Sequence, residues 1–129
     1  MIRYEKVFAF LAAMLMVAGA TIPALGAIDR HSGADRYATA VEISRTGWED
    51  GADVVVLARG DLFADALAGV PLAYANGAPI LLTKPNQLPA SIKDEIVRLG
   101  AKKVFILGGT AAISQSVEDE LTEMGLEVV

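Results

Sequence analysis

Residues 54–107 read VVVLARGDLFADALAGVPLAYANGAPILLTKPNQLPASIKDEIVRLGAKKVFIL, and their rhythm decides the fold. Three short apolar runs stand out: Val54 to Ala58 (VVVLA), Ile80 to Thr83 (ILLT) and Val104 to Leu107 (VFIL). Each has strand length and is apolar on both faces, as in a parallel sheet covered on each side. Between them lie segments of helical pattern. Ala64 to Asn76 reads as a helix with Asp61 as its N-cap and Gly77 as its stop, and Pro71 should kink or split it. Ser91 to Leu99 reads as a helix with Ser91 and Asp94 at capping-box spacing and Gly100 as terminator. Leu88, Ile92, Ile96 and Leu99 form one stripe.

The pattern extends in both directions. Asp35 to Thr46 predicts a helix that stops at Gly47. Ser114 to Met124 predicts another, with Ile113, Val117, Leu121 and Met124 on one face and Gly125 at its end. Leu126 to Val129 begins a fourth strand. Alternating strands and helices with short links define an α/β fold. The expectation is a small three-layer, doubly wound parallel sheet of about four strands, Rossmann- or flavodoxin-like. Such a small open sheet leaves edges that need a neighbour, a second copy or another domain.

The chain has 129 residues, no cysteine, a net charge of -5 and 53% hydrophobic residues. The first 27 distort these totals. Arg3 and Lys6 precede an uncharged run from Val7 to Ala20, followed by Pro23 and the small residues Ala24, Gly26 and Ala27. That order predicts a signal peptide over residues 1–27, cleaved near Gly26 or Ala27, and a single module over 28–129. The apolar run is shorter than the roughly 18 residues of a membrane span. Membrane contact is therefore expected only through the signal peptide during export, with the mature chain secreted to the cell surface. The absence of cysteine excludes disulfide staples, thiolate metal sites and a cysteine nucleophile. The acidic balance argues against nucleic acid as a partner.

Ligands of open α/β sheets bind at the carboxyl ends of the strands. Arg59 and Gly60 follow the first strand, Lys84 follows the second, and Gly108, Gly109 and Thr110 follow the third. Arg30, His31 and Arg36 lead into the first helix and are expected near the same rim. Glycines admit a ligand to the backbone, and free N–H groups attract anions. One reading is an anion-binding rim formed by Arg30, Arg36, Arg59, Lys84, Gly108, Gly109 and Thr110. The other is that the arginines pair with Asp35, Asp61 and Asp65.

Catalytic and cofactor patterns are weak. Gly108-Gly109-Thr110 matches neither G-x-G-x-x-G nor a P-loop, so a nucleotide site rests on fold analogy alone. No G-x-S-x-G elbow accompanies His31 and Ser114. Asp61 and Asp65 read as caps or helix-dipole partners rather than a catalytic pair. Tyr37 and Trp48 read as packing residues before sugar-stacking ones. No catalytic residue, metal or cofactor is expected.

Three blocks carry a family resemblance. RHSGADRYATAVEIS (Arg30 to Ser44), LFADALAGVPLAYANGAPILLT (Leu62 to Thr83) and AKKVFILGGTAAISQSVEDEL (Ala101 to Leu121) resemble, in order and spacing, the cell wall binding repeat 2 family. Ala64 stands where that family usually has proline. The resemblance implies a non-catalytic module on secreted proteins, mostly of Gram-positive bacteria. Such modules hold S-layer proteins, adhesins and wall-modifying enzymes on anionic, teichoic-acid-like wall polymers. They usually occur in threes, packed about a pseudo-threefold axis. A lone module then reads as the first of a truncated array. The alternative is an N-terminal fragment of a wall-modifying enzyme, such as an N-acetylmuramoyl-L-alanine amidase, whose catalytic domain lies elsewhere.

Overall fold

A computed structural model describes residues 29–129. The expected leader at 1–27 lies outside them. Helix α1 (Arg36–Gly47) precedes strand β1 (Val54–Arg59). Two short helices follow, α2 (Phe63–Ala68) and α3 (Val70–Ala75), then β2 (Ile80–Thr83). The remainder is α4 (Ala90–Leu99), β3 (Lys103–Ile106), α5 (Gln115–Glu123) and β4 (Glu127–Val128).

The four strands are all parallel, in the order β2-β1-β3-β4. The chain moves outward from β1 to β2 through α2 and α3. It then crosses back over β1 through α4 to reach β3, and continues outward through α5 to β4. Reversing direction while changing faces keeps one crossover hand, as the parallel βαβ rule requires. This is the expected α/β doubly wound architecture, with its switch point between β1 and β3.

The two faces of the sheet differ. Val55 and Leu57 of β1 point into the main core with Leu81, Val104, Ile92, Ile96, Val117 and Leu121. Helices α1, α4 and α5 cover that face. Val56 points the other way, against Ala73 and Ala78, with Val54, Ile80, Phe105 and Leu107 only partly buried around them. Among the described residues only α2 and α3 cover this second face.

Local sequence explains most element ends. The Asp35 side chain accepts a hydrogen bond from the Ala38 N–H at 2.8 Å and caps α1. Gly100 takes φ 67°, a left-handed conformation that closes α4. The expected helix over 64–76 is split at Gly69 into α2 and α3. Pro71 sits in the first turn of α3, where its missing N–H has no carbonyl to meet. Two cap expectations are corrected. Asp61 does not cap α2; Leu62 occupies the cap position without a side-chain bond, and Asp61 pairs with Arg59 instead. Ser91 and Asp94 form no capping box, because α4 starts one residue earlier. The Pro89 carbonyl accepts from the N–H groups of Ile92 and Lys93, both at 3.0 Å, and places Ser91 inside the first turn.

One buried charge ties two helices together. Glu95 of α4 is fully buried. Arg98 grips its carboxylate through Nε at 2.8 Å and Nη2 at 2.7 Å, and Arg45 of α1 approaches at 3.5 Å. Arg98 also donates to the Trp48 carbonyl at 3.0 Å and the Glu49 carbonyl at 3.3 Å, just past the end of α1. Burial pushes the Glu95 carboxyl up. The Arg98 contact and the Arg45 charge outweigh it, and the group ends below its ordinary value.

Candidate functional site at the strand ends

The parallel register brings the ends of the strands to one rim. Arg59 pairs with Thr83 across β1 and β2, so Lys84 stands beside Gly60. The Gly60 N–H donates to the Thr83 carbonyl at 2.8 Å. Arg36, the first residue of α1, donates through Nη1 to the Gly60 carbonyl at 2.8 Å. The Ser114 N–H donates to the Pro85 carbonyl at 2.6 Å, which bends the loop after β3 toward the end of β2.

The structure sorts the candidate cations. Arg59 is clamped bidentately by Asp61, through Nε and, at 2.7 Å, through Nη2. Their hydrogen bonding holds the Asp61 carboxyl below its usual range and raises the Arg59 guanidinium; the charge of Arg36 adds to the effect on Asp61. Pairing therefore describes Arg59. It does not describe Asp35, which is occupied as the α1 cap. Lys84 is exposed and has no ion-pair partner among the described residues. Arg36 is exposed, and among the described residues its side chain bonds only to the Gly60 carbonyl.

Arg30 is placed elsewhere. Residues 30–35 run back along α1: Gly33 N–H donates to Thr39 Oγ1 at 3.0 Å, and His31 Nδ1 lies 3.4 Å from Thr46 Oγ1. His31 and Arg30 thus lie near the far end of α1, about 15 Å from Arg36 at 1.5 Å per residue. Neither joins the rim. The same placement separates His31 from Ser114, which adjoins Pro85 at the rim. Among the described residues no group of three or more His, Asp or Glu is arranged to hold a metal ion.

Gly108, Gly109 and Thr110 are exposed and line a shallow cavity of about 210 Å³ with Ile113 and Glu118. The N–H groups of Gly108, Gly109, Thr110 and Ala111 have no acceptor among the described residues. Gly108 has φ 99°, and a Cβ there would lie 2.9 Å from the Ala112 Cβ and 3.3 Å from Asp65 Oδ2. A side chain there would press on Ala112 and on Asp65 of α2, so glycine suits both the positive φ and the close approach of the loop to α2. Asp65, expected as a helix-dipole partner or as a partner of the rim arginines, forms no ion pair among the described residues; it lies beside Gly108, where α2 approaches the β3 loop.

Tyr37 and Trp48 pack as expected. The Tyr37 ring lies over Gly60, where a Cβ would approach Cε1 to 2.8 Å. Trp48 is half-buried against the main core and donates Nε1–H to the Gly77 carbonyl at 2.6 Å.

A doubly wound sheet with free cations and free N–H groups at its switch-point rim belongs to the class of small α/β ligand-binding modules. Residues 30–118 match the family model Cell wall binding domain 2 (CWB2), and the chain belongs to that family. It is 32% identical over 125 residues to the N-acetylmuramoyl-L-alanine amidase LytC of Bacillus subtilis (strain 168), covering 97% of this chain and 25% of that protein. It is 37% identical over 97 residues to the Amidase enhancer of the same organism, covering 75% and 14%. Among solved structures, Cwp6 from Clostridium difficile superposes with a TM-score of 0.73 at 34% identity, covering 83% of this chain and 19% of that one. The chain spans a quarter or less of each of these three. It is a cell-wall-binding module, associated with the cell surface or wall.

Proposed function

We propose that the module anchors its protein non-covalently to an anionic, teichoic-acid-like polymer through the strand-end rim. The carrying observation is that Lys84, next to the Gly60 turn by register, and Arg36, bonded to the Gly60 carbonyl, stand at the same strand ends as the loop 108–111, whose N–H groups have no acceptor among the described residues. Phosphate or carboxylate groups of the polymer meet the two cations, and the loop donates to their oxygens. Arg59 serves by orienting Asp61 and the Gly60 turn rather than by direct contact. The chain acts by binding and has no turnover of its own. It is exported behind the leader at 1–27 to a Gram-positive or S-layer surface, where sister modules pack with it in threes.

Co-sedimentation with purified cell walls across a salt series tests this. Lys84→Glu is expected to weaken binding about tenfold, and adding Arg36→Ala to weaken it further; Arg59→Ala is expected to change it less than threefold. Wild-type binding should fall as salt rises. Binding that ignores salt, or that survives Lys84→Glu with Arg36→Ala unchanged, overturns the rim assignment. A clearing band from the purified chain on a wall-substrate zymogram would contradict the absence of turnover.

A further inference from the structure

Among the described residues the buried polar side chains are Ser44, Thr83 and Glu95. Ser44 and Glu95 belong to α1 and α4, whose contact the Glu95 carboxylate secures. Thr83 stands apart from them, at the end of β2 and behind the rim. Its carbonyl accepts from the Gly60 N–H at 2.8 Å, in the turn that Arg36 also holds. Its hydroxyl donates to carbonyls of the following loop, that of Lys84 at 3.1 Å and that of Gln87 at 3.2 Å. A hydroxyl has a single proton, and sharing it between these acceptors draws both ends of segment 84–87 onto one point.

Little else defines that loop. No backbone hydrogen bond joins one residue of 84–88 to another. Pro85 and Pro89 have no N–H to give. The other tie is the Ser114 N–H, which reaches the Pro85 carbonyl at 2.6 Å from the start of α5. Leu88, buried in the main core, fixes the exit from the loop. Lys84, Asn86 and Gln87 are exposed. The loop shape therefore depends on the Thr83 hydroxyl and the Ser114 N–H, with Leu88 as anchor. Valine would fill the same space in β2 without a polar atom to satisfy, so packing alone does not call for the hydroxyl.

We propose that Thr83 is a positioning residue for wall binding: its buried hydroxyl fixes loop 84–87 and so sets where the Lys84 charge stands relative to Arg36 and to loop 108–111. The inference rests on the rim reading and adds to it the group that arranges its parts. Thr83 itself meets no polymer. Without the hydroxyl, the Lys84 and Gln87 carbonyls turn to water and the loop takes several shapes. Lys84 is then in place only part of the time, and affinity falls by that fraction.

Co-sedimentation with purified cell walls across a salt series is the test, run on Thr83→Val, Thr83→Ser, Lys84→Ala and the double variant Thr83→Val with Lys84→Ala. Thr83→Val keeps the shape and removes the hydroxyl. It should weaken binding about fivefold and make the salt dependence shallower, as Lys84→Ala does. Thr83→Ser keeps the hydroxyl and should bind within about twofold of wild type. In the Lys84→Ala background the valine should cost nothing further, because it acts through that lysine. General damage to the fold would instead give the same loss in both backgrounds and leave the salt dependence of the wild type. Urea midpoints establish which variants are folded, and Thr83→Ala replaces Thr83→Val should the latter not fold. Full binding by the folded hydroxyl-free variant, binding by Thr83→Ser as weak as by Thr83→Val, or an undiminished further loss in the Lys84→Ala background overturns the role of Thr83. The two readings fail differently. A wild type that ignores walls, or that binds them equally well as Lys84→Ala, overturns the rim reading and Thr83 with it. Weak binding by Lys84→Ala beside full binding by Thr83→Val overturns the role of Thr83 alone.

Discussion

Arg98→Ala is expected to destabilise the module by about 3 kcal/mol, because it strands the Glu95 carboxylate in the interior. Breaking a buried pair by removing one partner typically costs 3–5 kcal/mol, and Arg45 at 3.5 Å keeps the value at the lower end. Arg98 also releases the carbonyls of Trp48 and Glu49, so the tie between α1 and α4 goes with it. A domain of this size has roughly 5–15 kcal/mol in all. The melting temperature should fall by about 12 °C or more. Glu95→Gln should cost less, about 1 kcal/mol, since the arginine left behind reaches solvent. Urea unfolding of the three proteins measures this; equal loss in both variants would show that the charge pair is not the cause.

The same pair sets a pH dependence. The folded-state Glu95 value lies below the ordinary one, so its stabilisation is complete above the ordinary carboxylate range. It is lost as pH falls through the folded value. Wild-type unfolding free energy should therefore drop more steeply than that of Glu95→Gln below about pH 4.

The second large effect separates the two faces of the sheet. Leu57→Ala should cost about 3–4 kcal/mol, because Leu57 is fully buried at the centre of the main core and closely packed neighbours cannot collapse into the space. Leu107→Ala, on the thinly covered face, should cost no more than about 1 kcal/mol, because the side chain is already partly in water. Denaturant midpoints at matched concentration decide it. Equal costs would mean that the second face is as well covered as the first.

Much of the fold was legible because strand and helix periods are local. VVVLA, ILLT and VFIL lie within a residue of β1, β2 and β3. The stripes Leu88-Ile92-Ile96-Leu99 and Ile113-Val117-Leu121 are buried as their spacing predicts, and Met124, the last of the second stripe, is partly buried against them. Caps were less legible. Asp61 and Ser91 have the right chemistry for an N-terminus, but Arg59 claims one and Pro89 pre-empts the other. Whether a side chain caps depends on which partner the folded chain presents first. The cations at the rim divide in the same way. Lys84 and Gly108 follow strands directly, so register alone delivers them. Arg30 precedes a helix by six residues, and only the path of the chain along α1 carries it away.

By itself the sequence determined the order and kind of the elements, the parallel sheet and the family, since each is encoded in short-range pattern or in linked motifs. Tertiary structure alone decided which charges remain free. Arg59 and Lys84 look alike in sequence, yet one faces Asp61 and the other faces solvent. It alone decided, too, that among the described residues the apolar segment 62–75 lies outermost, with Phe63, Leu67 and Tyr74 exposed. Hydrophobicity states that a segment seeks cover; only the packing of the whole chain shows whether the chain itself provides it.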